Sequence, residues 1–176
     1  SDTTKIFGSF FLHHGKVIEG KFTKDDSVNT KIDEKKRELT KCNHSSTHLL
    51  HSSLRKILGN HVSQKGSLVS NEKLRFDFSH NESISIDNIV KIENYVKKEI
   101  KFNSKVNTKI IDHQKAIDEG AIALFGEKYG DEVRVVSMGS IENDKIFSKE
   151  LCGGTHVNKT GDIIDFKIIN QSSVAS

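Results

Sequence analysis

The stretch Cys42-Asn43-His44-Ser45-Ser46-Thr47-His48-Leu49-Leu50-His51 puts three histidines within eight residues and runs straight into an apolar stripe. Leu39, Leu49, Leu50, Leu54, Ile57 and Leu58 recur at helical spacing, and Gly59 is a natural stop. This spacing predicts helix over residues 34–58. Residues 43–47 are poor helix formers, because their short polar side chains compete for backbone hydrogen bonds. A fresh helix start is expected there, capped by Asn43 or a neighbouring hydroxyl.

Residues four apart on a helix share a face, so His44 and His48 point the same way. Two imidazoles so placed can share a Zn²⁺ at bond lengths of roughly 2.0–2.1 Å. Far downstream, Leu151-Cys152-Gly153-Gly154-Thr155-His156 repeats the four-residue spacing between Cys152 and His156. The paired glycines disfavour helix and allow a tight loop that brings thiolate and imidazole together. His44, His48, Cys152 and His156 form a credible zinc set. His51 is a rival on the same helix face, and Cys42 a weaker one, since residues two apart diverge. A zinc protease is disfavoured, because its general base would be a Glu beside the first histidine and position 45 is Ser. Four closed protein ligands would make the zinc structural, and an open position would make it catalytic. Spacing leaves His156 open between ligand and acid/base.

Working outward, residues 5–33 read as short strands: Lys5–Leu12, a turn at residues 13–16, then Val17–Phe22 and Val28–Asp33. Val62–Val69 and Lys73–Phe78 form a hairpin around Ser70-Asn71-Glu72. Ile86–Phe102 is a second amphipathic helix, with Ile89, Ile92, Val96 and Ile100 on one face. Val106–Ile111 is a strand, Asp112–Glu119 a short helix, and Ala121–Phe125 a short apolar run. Val133–Met138, Phe147–Cys152 and Asp162–Ile169 complete the strands. Helices and strands come mixed, so the expected class is α+β.

Composition is permissive. Charged residues make up 29% and hydrophobic residues 34% of 176 residues, with a net charge of +3. A core is not excluded, and so mild a charge does not by itself imply nucleic acid. No run of about 18 or more apolar residues exists, so no membrane partner is expected. The first residues do not resemble a secretion signal, and the missing initiator Met suggests a piece of a longer chain. Only two cysteines are present, each with a histidine nearby, which favours a reduced, cytoplasmic setting over a disulfide framework.

Five phrases in order carry a resemblance: His44-Ser-Ser-Thr-His48-Leu-Leu-His51, His61-Val-Ser-Gln-Lys-Gly-Ser-Leu-Val69, Leu74-Arg-Phe-Asp-Phe-Ser-His80, Ala121-Ile-Ala-Leu-Phe-Gly-Glu-Lys-Tyr129, and Cys152-Gly-Gly-Thr-His156 followed by Thr160-Gly-Asp162. Together they resemble the editing domain of alanyl-tRNA synthetase. The two His/Cys phrases are shared with free-standing editing proteins and with threonyl-tRNA synthetase. The other three favour the full bacterial-type synthetase. The resemblance implies a mixed-sheet editing core with packed helices over residues 34–176, preceded by the end of a small β-barrel over residues 1–33. It implies a hydrolase that removes serine or glycine wrongly attached to tRNA(Ala), acting on the acceptor end. The parent enzyme would attach alanine using ATP, in other domains of the synthetase. His44, His48, Cys152 and His156 match the family's Zn²⁺-binding positions, Thr47 the threonine that senses the serine hydroxyl, and Gln64 a glutamine beside the pocket. Two departures stand out. The family commonly has Thr-Ala-Thr where this chain has Ser45-Ser46-Thr47, and the barrel's usual Gly-Asp is Asp25-Asp26. The ending at Gln171–Ser176 resembles the point just before the family's Gly-[Ile/Val]-Arg-Arg segment, so the resemblance points to a final strand or helix beyond it.

The residues alone also admit a bland account. Thr47 reads as a hydroxyl bonded to its own helix, Gln64 as a half-exposed strand residue, and Lys91, Lys97, Lys98 and Lys101 as a solvated helix face. His61 and His80 read as surface or structural. The alternative function is a zinc-stabilised, non-catalytic RNA-binding module. With no Gly-rich phosphate loop, the stretch itself is not expected to charge tRNA.

Overall fold

The computed structural model describes residues 2–6, 10–123 and 128–173. Two compact units divide the chain, Ser1–Ile32 and Asp33–Ser176. In the first, β1 (Asp2–Ile6) pairs antiparallel with β2 (Phe10–His14), in a register that sets Asp2 against His14 and Ile6 against Phe10. Thr4 Oγ1 lies 3.0 Å from His14 Nε2 across this ladder. His13 and His14 are therefore strand residues, not turn residues. The expected strands at residues 17–22 and 28–33 are not formed. Their apolar residues are exposed, and alternation alone does not hold a strand that has no partner surface. One hairpin is seen among the unit's described residues, and the barrel is not confirmed.

The second unit is built on α1 (Glu34–Leu58). Asp33 caps it by accepting from Lys36 N at 3.0 Å, and Gly59 N closes the other end on Arg55 O at 3.0 Å. The helix is continuous, and no new start occurs within residues 43–47. There the hydroxyls bond back along the helix instead of breaking it, Ser46 Oγ to Cys42 O at 2.8 Å and Thr47 Oγ1 to Asn43 O at 2.9 Å. After it come β3 (Gln64–Val69) and β4 (Leu74–Phe78), an antiparallel hairpin as the turn residues predict. The second helix, α2 (Ile86–Phe102), is capped by Ser85 and ends on Asn103 in the left-handed region.

Next, β5 (Asn107–Asp112), α3 (His113–Asp118), β6 (Glu132–Glu142) and β7 (Lys145–Leu151) build a sheet of order β5-β6-β7. Among the described residues every strand ladder in this unit is antiparallel, and the parallel pairing is a single bridge, Ile122 to Glu150. The α+β class is confirmed, whereas the mixed sheet reduces to that bridge. Leu124 and Phe125, the end of the apolar run at 121–125, lie outside the described residues.

Alternation along β6 divides the interior. Val136 and Met138 face a large cluster with Leu49, Leu50 and Leu54 of α1 and Ile92, Val96 and Ile100 of α2. Val133 and Val135 face a smaller one with Ala116, Ala121 and Leu151. The last expected strand, Asp162–Ile169, is instead a 3₁₀ turn, η1 (Thr160–Ile163), followed by irregular chain. Ile163 and Phe166 are buried in the large cluster without a ladder. Backbone groups here are satisfied by side chains: Asp162 Oδ2 accepts from Lys159 N at 3.0 Å, and Glu93 Oε1 from Ile168 N at 2.6 Å.

At the bend in β6, Gly139 has φ +93°, and Ser140 beside it gives both its N–H and its hydroxyl to the buried carboxylate of Glu99. A Cβ at 139 would lie 2.6 Å from Phe147 Cβ. Gly139→Ala is expected to destabilise this unit by about 1–3 kcal/mol, read as a lowered urea midpoint with an unchanged slope.

Candidate metal centre

Half of the site comes from α1, whose His44 and His48 rings stand with centroids 5.2 Å apart. The other half is the loop after β7. Cys152 N bonds to Arg134 O at 2.9 Å, and Arg134 Nη1 donates to the carbonyls of Cys152 and Gly154, both at 2.8 Å. One guanidinium thus shapes the loop. His156 then stands 4.3 Å from the His44 ring and 4.9 Å from the His48 ring, between centroids. Cys152 Sγ lies 3.4 Å from His44 Nε2. One ligand atom from each of His44, His48, Cys152 and His156 falls within 4.8 Å of the other three.

Each imidazole uses its Nδ1 elsewhere. His44 Nδ1 donates to Thr155 O at 3.1 Å, and His48 Nδ1 to Glu150 Oε2 at 2.7 Å. His156 Nδ1 lies 3.3 Å from Ser45 Oγ, which also accepts Val157 N at 3.1 Å. A carbonyl or carboxylate partner puts the hydrogen on Nδ1 and turns Nε2 toward the centre. The Nε2 atoms of His48 and His156 are buried and have no hydrogen-bond partner. Such orphaned nitrogens are costly unless something else engages them. Three nitrogens and one sulfur are the donor types zinc takes in four-coordinate sites, so the residues fit that ion.

Electrostatics agree. Burial opposes ionisation of Cys152, but the imidazoles of His156, His44 and His48 hold its thiol down to about 3. A thiolate is the ligand form. Burial also opposes charge on both His48 and Glu150, yet their pairing raises the imidazole to about 10 and lowers the carboxyl to about 2, so an ion taken up at His48 would displace the proton on its Nε2. His156 is lowered, first by burial. Cys42 goes the other way: burial, then Glu38 and Asp162, push its thiol up.

The remaining expected residues fall outside the cluster. Cys42 Sγ lies against Asp162 O at 3.5 Å. His51, the rival ligand, gives Nδ1 to Glu150 Oε1 at 2.9 Å and packs against Phe76. Thr47 is buried beside His48 and, as noted, bonded to Asn43 O. Gln64 opens β3 at a register irregularity, with Nε2 3.4 Å from Ser67 Oγ. His61 Nε2 and His80 Nδ1 are 2.9 Å apart, a pair of their own. Lys97 and Lys98 are ion-paired, to Asp165 at 3.3 Å and Glu142 at 3.2 Å.

Sequence reasoning missed Glu150, Arg134 and Ser45. For Glu150 one signal existed: an acidic residue two places before a candidate ligand cysteine, on the same side of a strand.

The two loop glycines differ. A Cβ at Gly154 would lie 2.1 Å from His44 Cε1, whereas one at Gly153 meets nothing within 4 Å. Gly154→Ala is expected to displace His44 and weaken Zn²⁺ binding by about tenfold or more, and Gly153→Ala to leave it within about twofold, by competition with a chromophoric chelator.

A family profile described as "Threonyl and Alanyl tRNA synthetase second additional domain" matches residues 133–176, which include β6, β7 and the Cys152–His156 loop. Over its whole length the chain is 52% identical to an "Alanine--tRNA ligase" of Pseudomonas syringae pv. tomato, covering 100% of this chain and 20% of that protein. Relatives of the same name from Parvibaculum lavamentivorans and Legionella pneumophila are each 48% identical, over 99% of this chain and 20% of their own. The chain thus spans about one fifth of the length of the curated relatives it matches. About half of the residues are identical from end to end, so this chain corresponds to a segment of alanine–tRNA ligases.

Proposed function

We propose that residues 34–176 form a zinc-dependent editing domain that hydrolyses Ser-tRNA(Ala) and Gly-tRNA(Ala) within an alanine–tRNA ligase. Residues 1–33 are read as the end of a small β-barrel. On this reading the parent enzyme attaches alanine to tRNA(Ala) with ATP, using its other domains, in the cytoplasm. One observation carries the proposal: three imidazoles with engaged Nδ1 atoms and one depressed thiol converge on a common point.

His44, His48, Cys152 and His156 would hold Zn²⁺. When bound, zinc supplies a Lewis acid that can lower the pKa of a water to about 7 or anchor the aminoacyl end. The need for a second site follows from pocket physics. A pocket built for alanine cannot exclude the smaller glycine, and it rejects a side chain with one added hydroxyl by only about 10–200-fold. Thr47 would distinguish serine from alanine. Its hydroxyl hydrogen is already given to Asn43 O, so its oxygen remains as an acceptor for a serine hydroxyl. An alanine methyl offers no such donor, which disfavours it by roughly 1–3 kcal/mol. Gln64, at the irregular start of β3, would orient substrate or water through its amide.

A second reading has one observation in its favour. Four converging protein donors are also the pattern of a structural zinc, as in a non-catalytic RNA-binding module. Cys152→Ala separates the two. Under the editing reading, serine release from Ser-tRNA(Ala) is lost while circular dichroism and the urea midpoint report a folded chain. Under the structural reading, the fold collapses with the metal. For the unaltered chain, release of serine but not alanine is expected, and a zinc chelator is expected to stop it. Thr47→Val is expected to lower the preference for serine-charged over alanine-charged tRNA by about tenfold, read as a ratio of kcat/KM values.

A further inference from the structure

We infer that Glu150 and His51 act together as a positioning pair for the metal ligand His48, with His51 serving to orient the carboxylate and not to bind the ion. The inference rests on the zinc reading of the His44–His48–Cys152–His156 cluster and deepens it. Glu150 is 1% exposed, on β7, and faces α1. Its two oxygens are divided between two histidines one helical turn apart, Oε2 taking His48 Nδ1 at 2.7 Å and Oε1 taking His51 Nδ1 at 2.9 Å. His51 is itself 1% exposed, and its far nitrogen, Nε2, is buried without a hydrogen-bond partner.

A buried carboxylate with one oxygen unsatisfied is costly and free to rotate toward any donor. Two fixed donors on one helix face remove both problems. With Oε1 held by His51, the plane of the carboxylate is set, and Oε2 must meet His48 Nδ1. That contact places the hydrogen of His48 on Nδ1 and aims Nε2 at Cys152 and His156. His51 is therefore kept from the ion by its role. Its Nδ1 is spent on Glu150, and its ring is stacked at 5.3 Å on Phe76 of the neighbouring hairpin.

The test uses the full 176-residue chain, with Zn²⁺ alone as probe and Co²⁺ as spectroscopic reporter. Glu150→Gln keeps the shape but offers one oxygen where two are needed. It is expected to weaken Zn²⁺ binding by about 10–100-fold and to alter the visible Co²⁺ bands. His51→Leu, which leaves Oε1 without a donor, is expected to weaken binding by about tenfold. His51→Gln, whose amide can still donate to Oε1, is expected to restore affinity to within about threefold of the original. The rescue is what a merely space-filling role for His51 would not produce. Should Glu150→Gln fail to fold, the contrast between the two His51 variants decides alone. Unchanged Zn²⁺ affinity and Co²⁺ spectra in the variants, with only their urea midpoints lowered, would reduce the pair to a cross-link between α1 and β7 and overturn the inference. A parent chain that binds no Zn²⁺ would remove the metal reading and the inference together. A parent that binds Zn²⁺ without releasing serine would remove the editing reading and leave the positioning test intact.

Discussion

The centre of this molecule depends on α1 staying helical through its least helical residues. His44 and His48 share a face only if no break falls between them, yet Ser45, Ser46 and Thr47 are residues that favour caps and turns. The conflict is settled by giving each hydroxyl a fixed partner. Ser46 and Thr47 bond to the carbonyls four residues back, and Ser45 accepts from Val157 N in the opposing loop. Leu49, Leu50 and Leu54 then bury the following turns. The helix is held by tertiary packing where propensity alone would let it fray.

The same logic separates what could be read from the chain from what could not. Helix α2 was legible because a single apolar stripe and a capping serine agree on its limits. The β3–β4 hairpin was legible because turn residues sit between two alternating runs. Asp162–Ile169 misled because its apolar residues alternate, but burial of Ile163 and Phe166 needs only a floor to pack on, and Glu93 supplies the backbone partner a ladder would have given. Residues 17–32 misled for the opposite reason, since their apolar residues are exposed and stabilise no strand. At the site, the four clustered residues were readable from paired four-residue spacings. Glu150, Arg134 and Ser45 were not read, because their importance lies in contacts about a hundred residues away along the chain for Glu150 and Ser45, and across a strand for Arg134.

The two cysteines show how little residue type decides. Both are partly exposed and both are unpaired. Cys42 is partly buried and lies near Glu38 and Asp162, so its proton is held more tightly than usual. Cys152 lies among three imidazoles, so its proton is lost far more readily. Position on the scaffold, one within α1 and one just after β7, sets the same thiol to keep its proton or to lose it.

The loop that carries Cys152 and His156 is shaped by protein contacts throughout. Arg134 ties two of its carbonyls, Thr155 O takes the His44 ring, and Val157 N is given to Ser45. A zinc finger has no such framework, and there the ion supplies the folding energy. Here two donors stand on a packed helix and two on a loop with hydrogen bonds of its own. Arginine, backbone and hydroxyl contacts therefore share the shaping of this loop with whatever the four donors hold.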